Sequence, residues 1–380
     1  MTTVASADAP LLAPPAGGRH GSLYSPPPAE TYERIVISSA FRLFDDAWSY
    51  ELLRRLSRGL QPEGRLLVPF QGAEPSRRGF LSLARVEELF GQKGRLVGAT
   101  GDGAKLRGHV EVVKADVRPP FPSLLDWFMD EGAALAGELV ELSGRPGGEV
   151  VELAARAPFV RTVETHDAGR WVPPATLVDA TASLVYLMGG VTYKTPVLAS
   201  LIRDHFNGRT GLGHLDLGSG PGWVGAELAL DPRTGVEWTE NLDIAPVSAV
   251  QSMRMFARYP ELDGRFTLHV AKMEDFAAAE PPDVVTFLGG TLIYVPEVTR
   301  LPLLQRAWAS LRPGGFLAVL ENVRSPRFAR DYERMLDAAE LDALLEPFGE
   351  VERFAANTGA RLSVEASSDR TAFRLVRKPG

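Results

Sequence analysis

The sequence predicts an α/β protein organised on a doubly wound sheet, and three observations carry that expectation. Residues 213–222 read Gly-His-Leu-Asp-Leu-Gly-Ser-Gly-Pro-Gly, a short buried strand ending at Asp216 and running into a tight glycine loop. Trp223, Val224, Ala226, Leu228, Ala229 and Leu230 then open a helix, which completes a nucleotide-binding strand–loop–helix unit. A second strand, residues 236–244, ends on the acidic Asp243 about 20 residues beyond the loop. Third, a strand–helix–turn–strand pattern occurs twice in the chain.

Composition bounds the rest. With 380 residues the chain has room for two domains, or one decorated domain, and for a large core. Hydrophobic content is 45% and charged content 23%, ordinary for a soluble globular protein. The formal net charge of −7 argues against a broad nucleic-acid footprint and favours a small molecule or a neutral partner. The absence of cysteine excludes disulfides, thiolate metal sites and cysteine nucleophiles. No apolar run approaches membrane-spanning length, and no basic region precedes an apolar leader, so a cytoplasmic enzyme is expected.

Taken in order, residues 1–30 are rich in Ala, Pro, Gly and Ser, with Pro-Pro at Pro14 and Pro-Pro-Pro at Pro26, and read as a disordered tail. Residues 31–116 read as a half-domain. Arg34-Ile35-Val36-Ile37-Ser38-Ser39 is a strand. Residues 50–60 are a helix with Leu52, Leu53, Leu56 and Leu60 on one face, and residues 65–70 are the next strand. Far downstream, residues 283–288 are a strand, 303–311 a helix and 316–320 a strand. Leu60-Gln61-Pro62-Glu63-Gly64-Arg65-Leu66 aligns with Leu311-Arg312-Pro313-Gly314-Gly315-Phe316-Leu317. Residues 86–91 parallel 343–349, and both copies close on a terminal strand, 108–114 and 371–377. The first copy has no glycine loop.

Residues 117–205 read as mostly helical with loops. Helices are expected at 123–141 and 174–188, with 149–153 ambiguous between strand and helix. Thr195 reads as an N-cap with Pro196 at the first helical position, and that helix should stop at Asn207-Gly208.

The segment Leu215-Asp216-Leu217-Gly218-Ser219-Gly220-Pro221-Gly222 resembles the first motif of class I S-adenosylmethionine (SAM) dependent methyltransferases. A dinucleotide fingerprint would be Gly-x-Gly-x-x-Gly; this loop is Gly-x-Gly-x-Gly with an acid two residues before it. The resemblance covers residues 174–380, with 33–116 as a truncated echo. It implies a Rossmann-like methyltransferase domain at 206–380, preceded by a degenerate half-domain at 31–116 and a helical lid at 117–205.

The resemblance also implies a cofactor site for SAM, with S-adenosylhomocysteine (SAH) as product. Asp216, Gly218, Ser219, Gly220 and Gly222 form its loop. Asp243, followed by Ile244, fits the ribose, because one carboxylate can accept from two vicinal hydroxyls. Met273 and Glu274, after the strand at 267–270, are expected at the adenine, with Asp275 as a substitute. Lys272 departs from the family there, where an Asp is common. His269 reads as a core strand residue rather than a ligand. Leu288 and Gly289, with Gly290, leave room for the methionine end and the acceptor, and residues 186–195, including Tyr193, cover it. Methyl transfer is an in-line displacement at a sulfonium, and a base is needed only where the acceptor must lose a proton. Tyr294, Glu321 and His166, beside Asp167, are the catalytic candidates. No metal constellation stands out.

The expected function is methyl transfer from SAM to a small molecule in specialised metabolism. One rival is a peptide or protein methyltransferase that docks its substrate on the half-domain. Another is a SAM-binding scaffold that does not methylate, for which a pocket filled by the protein's own side chains would speak. The half-domain itself should bind no cofactor. Its small sheet needs cover from the catalytic domain, the lid or the same region of a second subunit, and a homodimer would supply the last of these.

Overall fold

A computed structural model of the chain describes residues 2–6 and 19–22 by their backbone, and residues 29–37, 43–76, 79–164, 173–274, 276–323, 335–356, 359, 361–363 and 371–380. The chain divides into two units, residues 1–129 and 130–380.

The first unit holds β1 (Thr2–Ser6), β2 (Arg19–Ser22), β3 (Tyr32–Ile37), α1 (Ala47–Arg58), β4 (Leu60–Gln71), α2 (Leu83–Phe90), β5 (Arg95–Thr100) and β6 (Arg107–Val113). Helix α3 (Leu124–Ser143) spans the boundary between the units. The sheet order is β2-β1-β3-β4-β6-β5. Helix α1 buries Trp48, Leu52, Leu53 and Leu56, and the Asp46 carboxylate caps its start by accepting from the Ser49 N–H at 2.9 Å. The helix ends at Gly59, so Leu60, expected as its last apolar position, instead begins β4.

The four strands β3, β4, β6 and β5 repeat the far half of the second unit's sheet. There, β11 (Val284–Leu288), β12 (Phe316–Asn322), β14 (Thr371–Arg377) and β13 (Glu352–Phe354) lie side by side in that order. In both sets the first pair is parallel and the next two pairings are antiparallel. The two segments share one backbone bond at the glycine. Lys114 N donates to Gly64 O at 2.8 Å, and Lys378 N donates to Gly315 O at 2.8 Å. The residue before each glycine has positive φ, 60° at Glu63 and 78° at Gly314. A glutamate in that conformation costs about 1 kcal/mol relative to glycine, so the surrounding turn holds it there.

The second unit continues with α4 (Gly147–Arg156), β7 (Val160–Val163), α5 (Leu177–Phe206), β8 (Leu212–Leu217), α6 (Trp223–Leu230), β9 (Val236–Asp243), α7 (Pro246–Arg258) and β10 (Phe266–Val270). Helix α8 (Glu297–Ser310) joins β11 to β12, and α9 (Ala338–Leu345) precedes β13. The eight strands lie in the order β13-β14-β12-β11-β8-β9-β10-β7, and all run in one direction except β14, which is antiparallel to both β12 and β13. Every residue of β8 and β11 is buried, as expected of central parallel strands covered on both faces. After β10 the chain crosses back to place β11 on the other side of β8. The topological switch point therefore lies between β8 and β11, and ligands of open α/β sheets bind in the crevice at the carboxyl ends of such strands.

Residues 2–6 and 19–22, within the stretch read as a disordered tail, form β1 and β2, because β3 offers β1 a parallel partner. Two details of the second unit also differ from the sequence reading. Residues 160–163, within the stretch read as helical with loops, form the edge strand β7 beside β10, while 149–153 are helical. Thr195 is no N-cap. Helix α5 runs unbroken from Leu177 to Phe206 with Pro196 inside it, capped at its start by Thr176, whose hydroxyl accepts from the Asp179 N–H at 3.1 Å. An internal proline costs about 3 kcal/mol or more. Burial of Met188, Val191, Val197, Leu198, Leu201 and Ile202 along the same helix offsets that cost. The helix stops where expected, at Asn207, whose backbone is left-handed at φ 49° and ψ 46°. Among the described residues no helix is long and apolar enough to cross a membrane.

Candidate functional site

The glycine loop closes over the switch point. The N–H groups of Gly218 and Ser219 both donate to the Leu242 carbonyl, at 2.8 and 2.9 Å, which hooks the loop onto the end of β9. Gly222 begins α6 at φ 74°, and a Cβ there would meet the Asn241 side chain and the Phe266 ring at 2.9 Å. Only glycine satisfies both the backbone conformation and the packing. Gly218, at φ 74°, lies against Thr291 of the loop after β11, where a Cβ would come within 2.3 Å of the threonine methyl. The loops after β8 and β11 thus meet across the crevice. Among the described residues no side chain caps α6, and a helix start of this kind suits an anionic or polar group.

Asp243, at the end of β9, holds that loop from below. Its Oδ2 accepts from the Gly220 N–H at 3.0 Å, and its Oδ1 accepts from the Ala245 N–H at 2.9 Å and the Ser248 hydroxyl at 3.0 Å. Burial pushes its carboxyl above the ordinary aspartate value, and these three donors oppose the shift. Ile244 follows it, half-buried. Met273 and Glu274 occupy the turn after β10, also half-buried. The N–H of Lys272 donates to Glu164 Oε2 at 3.2 Å, so a carboxylate from the end of β7 stands at the turn where the family pattern has an acid in sequence. His269 packs on Phe276 and bonds Thr162 at 3.2 Å through Nδ1.

Asp216, at the end of β8, is 1% exposed. The Thr286 hydroxyl donates to its Oδ1 at 2.6 Å, and the Thr286 hydroxyl oxygen itself accepts from His214 Nε2 at 2.9 Å. His214 in turn accepts at Nδ1 from Thr239 at 3.1 Å. The imidazole is fully buried, which lowers its pKa to about 3 and keeps it neutral. Burial also pushes Asp216 up to about 7. Sequence reasoning had His214 only as part of a strand; its polar role depends on threonines in two other strands.

Leu288 is buried, and the N–H groups of Gly289 and Gly290 both point to the Leu320 carbonyl, at 2.9 and 3.4 Å. Glu321, at the end of β12, is 1% exposed. Its Oε1 accepts from the Leu292 N–H at 2.9 Å, and its buried Oε2 has no hydrogen-bond partner among the described residues. Burial raises its carboxyl to about 8. Tyr294 lies on the turn after β11 and is 68% exposed, in contrast to the buried Glu321. Tyr193, on α5, is 37% exposed, and burial of its hydroxyl, with Tyr186 nearby, pushes it up to about 12. His166, Asp167 and Asp275 lie outside the described residues.

The sequence reading missed Lys194. Its Nζ lies over the Tyr193 ring at 5.8 Å and occupies the room beside Gly289. The available signal was a lone cation in the otherwise uncharged run Met188-Gly189-Gly190-Val191-Thr192-Tyr193. Together, Asp216, residues 218–222, Asp243, Leu288, Gly289, Glu321 and Lys194 converge at the carboxyl edge of the sheet; Tyr294 stands outside that buried group. The set suits an organic ligand with a diol at Asp243 and an anionic or polar group near the α6 N-terminus. Among the described residues no grouping of three or more His, Asp or Glu side chains suits a metal ion.

No protein-family model matches the sequence. No curated protein matches it. Solved structures similar to the chain include the sugar N-methyltransferase KedS8 from Streptoalloteichus sp ATCC 53650, at 13% identity and a TM-score of 0.39 over 52% of this chain and 93% of that one. The SAM-dependent methyltransferase SibL is 16% identical, with a TM-score of 0.39 over 74% of this chain and 81% of that one. SAM-bound CalS10, an amino pentose methyltransferase from Micromonospora echinaspora, is 16% identical, with a TM-score of 0.37 over 51% of this chain and 95% of that one. By its strand order, its antiparallel β14 and the glycine loop at its switch point, the C-terminal half has a methyltransferase-like Rossmann fold, to which the N-terminal half adds a further α/β sheet.

Proposed function

We propose that this protein is a SAM-dependent methyltransferase that acts on a small molecule in specialised metabolism. One observation carries the reading: the Asp243 carboxylate bonds the Gly220 N–H at 3.0 Å, joining an acid-ended strand to a positive-φ glycine loop at the switch point. The residues fit the group. Asp243 would hold the ribose hydroxyls, and Ile244, Met273 and Glu274 would flank the adenine. Residues 218–222 would accept the methionine end, and Leu288, Gly289 and Tyr193 would line the side where the acceptor enters. When bound, SAM supplies an electrophilic methyl group. The protein's part is to orient the acceptor, exclude water and manage its proton, for which Glu321 and Tyr294 are candidates. The net charge of −7 favours a small, non-nucleic-acid acceptor. A cytoplasmic location and a homodimer formed through the N-terminal sheet belong to the same reading.

Isothermal calorimetry with SAM and SAH tests it: micromolar binding of either supports the cofactor, and no binding at millimolar concentration overturns it. One observation favours a second reading. Lys194 already fills the room beside Gly289, as a scaffold that binds SAM without transferring its methyl would require. The two part on whether labelled methyl leaves SAM for any member of a panel of small amines and phenols.

A further inference from the structure

Two glycines make space for the Lys194 ammonium. A Cβ on Gly289 would come within 2.5 Å of Nζ, and a Cβ on Gly190 within 3.1 Å. Lys194 is half-buried, and no hydrogen bond or ion pair reaches Nζ among the described residues. The groups that face it come from three elements. Asp216 ends β8, Glu321 ends β12, and Tyr193 precedes it on α5 with its ring centroid at 5.8 Å. Behind these stand Asp243, which acts on Asp216, Arg300, which acts on Glu321, and Tyr186, which acts on Tyr193. Burial pulls the ammonium below the ordinary lysine value, and the two carboxylates oppose the shift. On the cofactor reading above, the same crevice receives a sulfonium, whose positive charge repels a protonated lysine. The neutral amine is then the form compatible with that ligand, and it is a base.

We propose that Lys194, as a neutral amine, takes the proton from the methyl acceptor, and that the acceptor is therefore an amine or a hydroxyl compound. The proposal rests on the cofactor reading. The acceptor's nitrogen or oxygen lone pair forms the new bond to the methyl carbon. The carbon–sulfur bond breaks with its electron pair passing to sulfur, and the acceptor's proton moves to Nζ. The resulting ammonium faces Asp216 and Glu321, whose Oε2 has no hydrogen-bond partner among the described residues to compete for it. A carboxylate acceptor carries no proton at neutral pH and would give this arrangement nothing to do.

The test reads the lysine itself. The full chain has six lysines, and 13Cε-lysine labelling lets each be titrated by NMR. Lys194→Arg removes one resonance and assigns it; should that variant not fold, the one resonance that responds to SAM makes the assignment. Lys194 is expected to titrate well below the other five. SAM is expected to lower its midpoint further, by about one pH unit or a tenfold gain in neutral amine, with a smaller change for SAH, which lacks the sulfonium charge. If SAM and SAH both raise the midpoint, Lys194 binds the cofactor's carboxylate and the proposal is wrong. An unmoved midpoint, with calorimetry showing that SAM binds, also overturns it. If calorimetry shows no binding of either, the cofactor reading falls and takes this one with it.

Discussion

Asp243→Ala separates the ligand role of this residue from its structural one, with Glu240→Ala as the comparison on the same strand. In the free protein the Asp243 carboxylate accepts from Gly220, Ala245 and Ser248 at 3.0, 2.9 and 3.0 Å. Its loss leaves the glycine loop without its lower anchor and costs about 1–3 kcal/mol of stability. In the complex it also removes two bonds from the ribose hydroxyls to a charged acceptor, each about 1.5–3 kcal/mol. The sum, about 3–6 kcal/mol, weakens cofactor binding by a factor on the order of 10² to 10⁴. Glu240 accepts only a long bond from the Ala279 N–H, 3.4 Å, and lies 3.7 Å from His269 Nε2, on the side away from the loop's anchor. Its removal should lower the melting temperature and change affinity by no more than about twofold. Calorimetry with SAH and thermal melts of both variants give the answer. Equal losses of affinity would show that β9 does not deliver its carboxylate to the ligand, and the site would have to be redrawn.

Three further outcomes are expected. Gly222→Ala forces a side chain into positive φ and against Asn241 and Phe266, so it should lose about 2–4 kcal/mol in denaturant unfolding; a loss under about 0.5 kcal/mol would contradict the packing. Glu321 has a folded-state pKa of about 8 against 4.5 when unfolded, so its contribution is full at pH 4 and falls as pH rises through 8. Glu321→Gln should therefore change the melting temperature little at pH 5 and raise it at pH 9; parallel pH profiles for the two proteins would rule this out. Removing residues 1–116 strips the first unit's sheet but leaves Phe121, Leu124, Leu125, Trp127 and Phe128, all buried in the intact chain, so size-exclusion chromatography should show aggregation. A monodisperse, active 117–380 fragment would make the N-terminal unit dispensable.

Much of this molecule is written in short stretches of sequence. The glycine loop is legible because its conformations belong to individual residues: Gly218, Gly220 and Gly222 all have positive φ, and that freedom travels with glycine wherever it sits. The duplicated half-sheet is legible for a similar reason. Pro62-Glu63-Gly64 and Pro313-Gly314-Gly315 share a positive φ before the last glycine, and the strands around them follow by alternation and length. Tertiary structure decided what spacing cannot carry. Pro196 argued locally for a helix start, yet α5 runs through it because its buried faces outweigh the proline's cost. The edge strand β7 has four residues, too few to show a period, and exists because β10 offers it a partner. The His214–Thr286–Asp216 chain joins side chains about seventy residues apart, and Lys194 reaches Gly289 from another element altogether. Periodicity reports which face of an element is apolar; which charge ends up beside which is set only when the elements pack, and there the desolvation that shifts Asp216, Glu321 and Lys194 first arises.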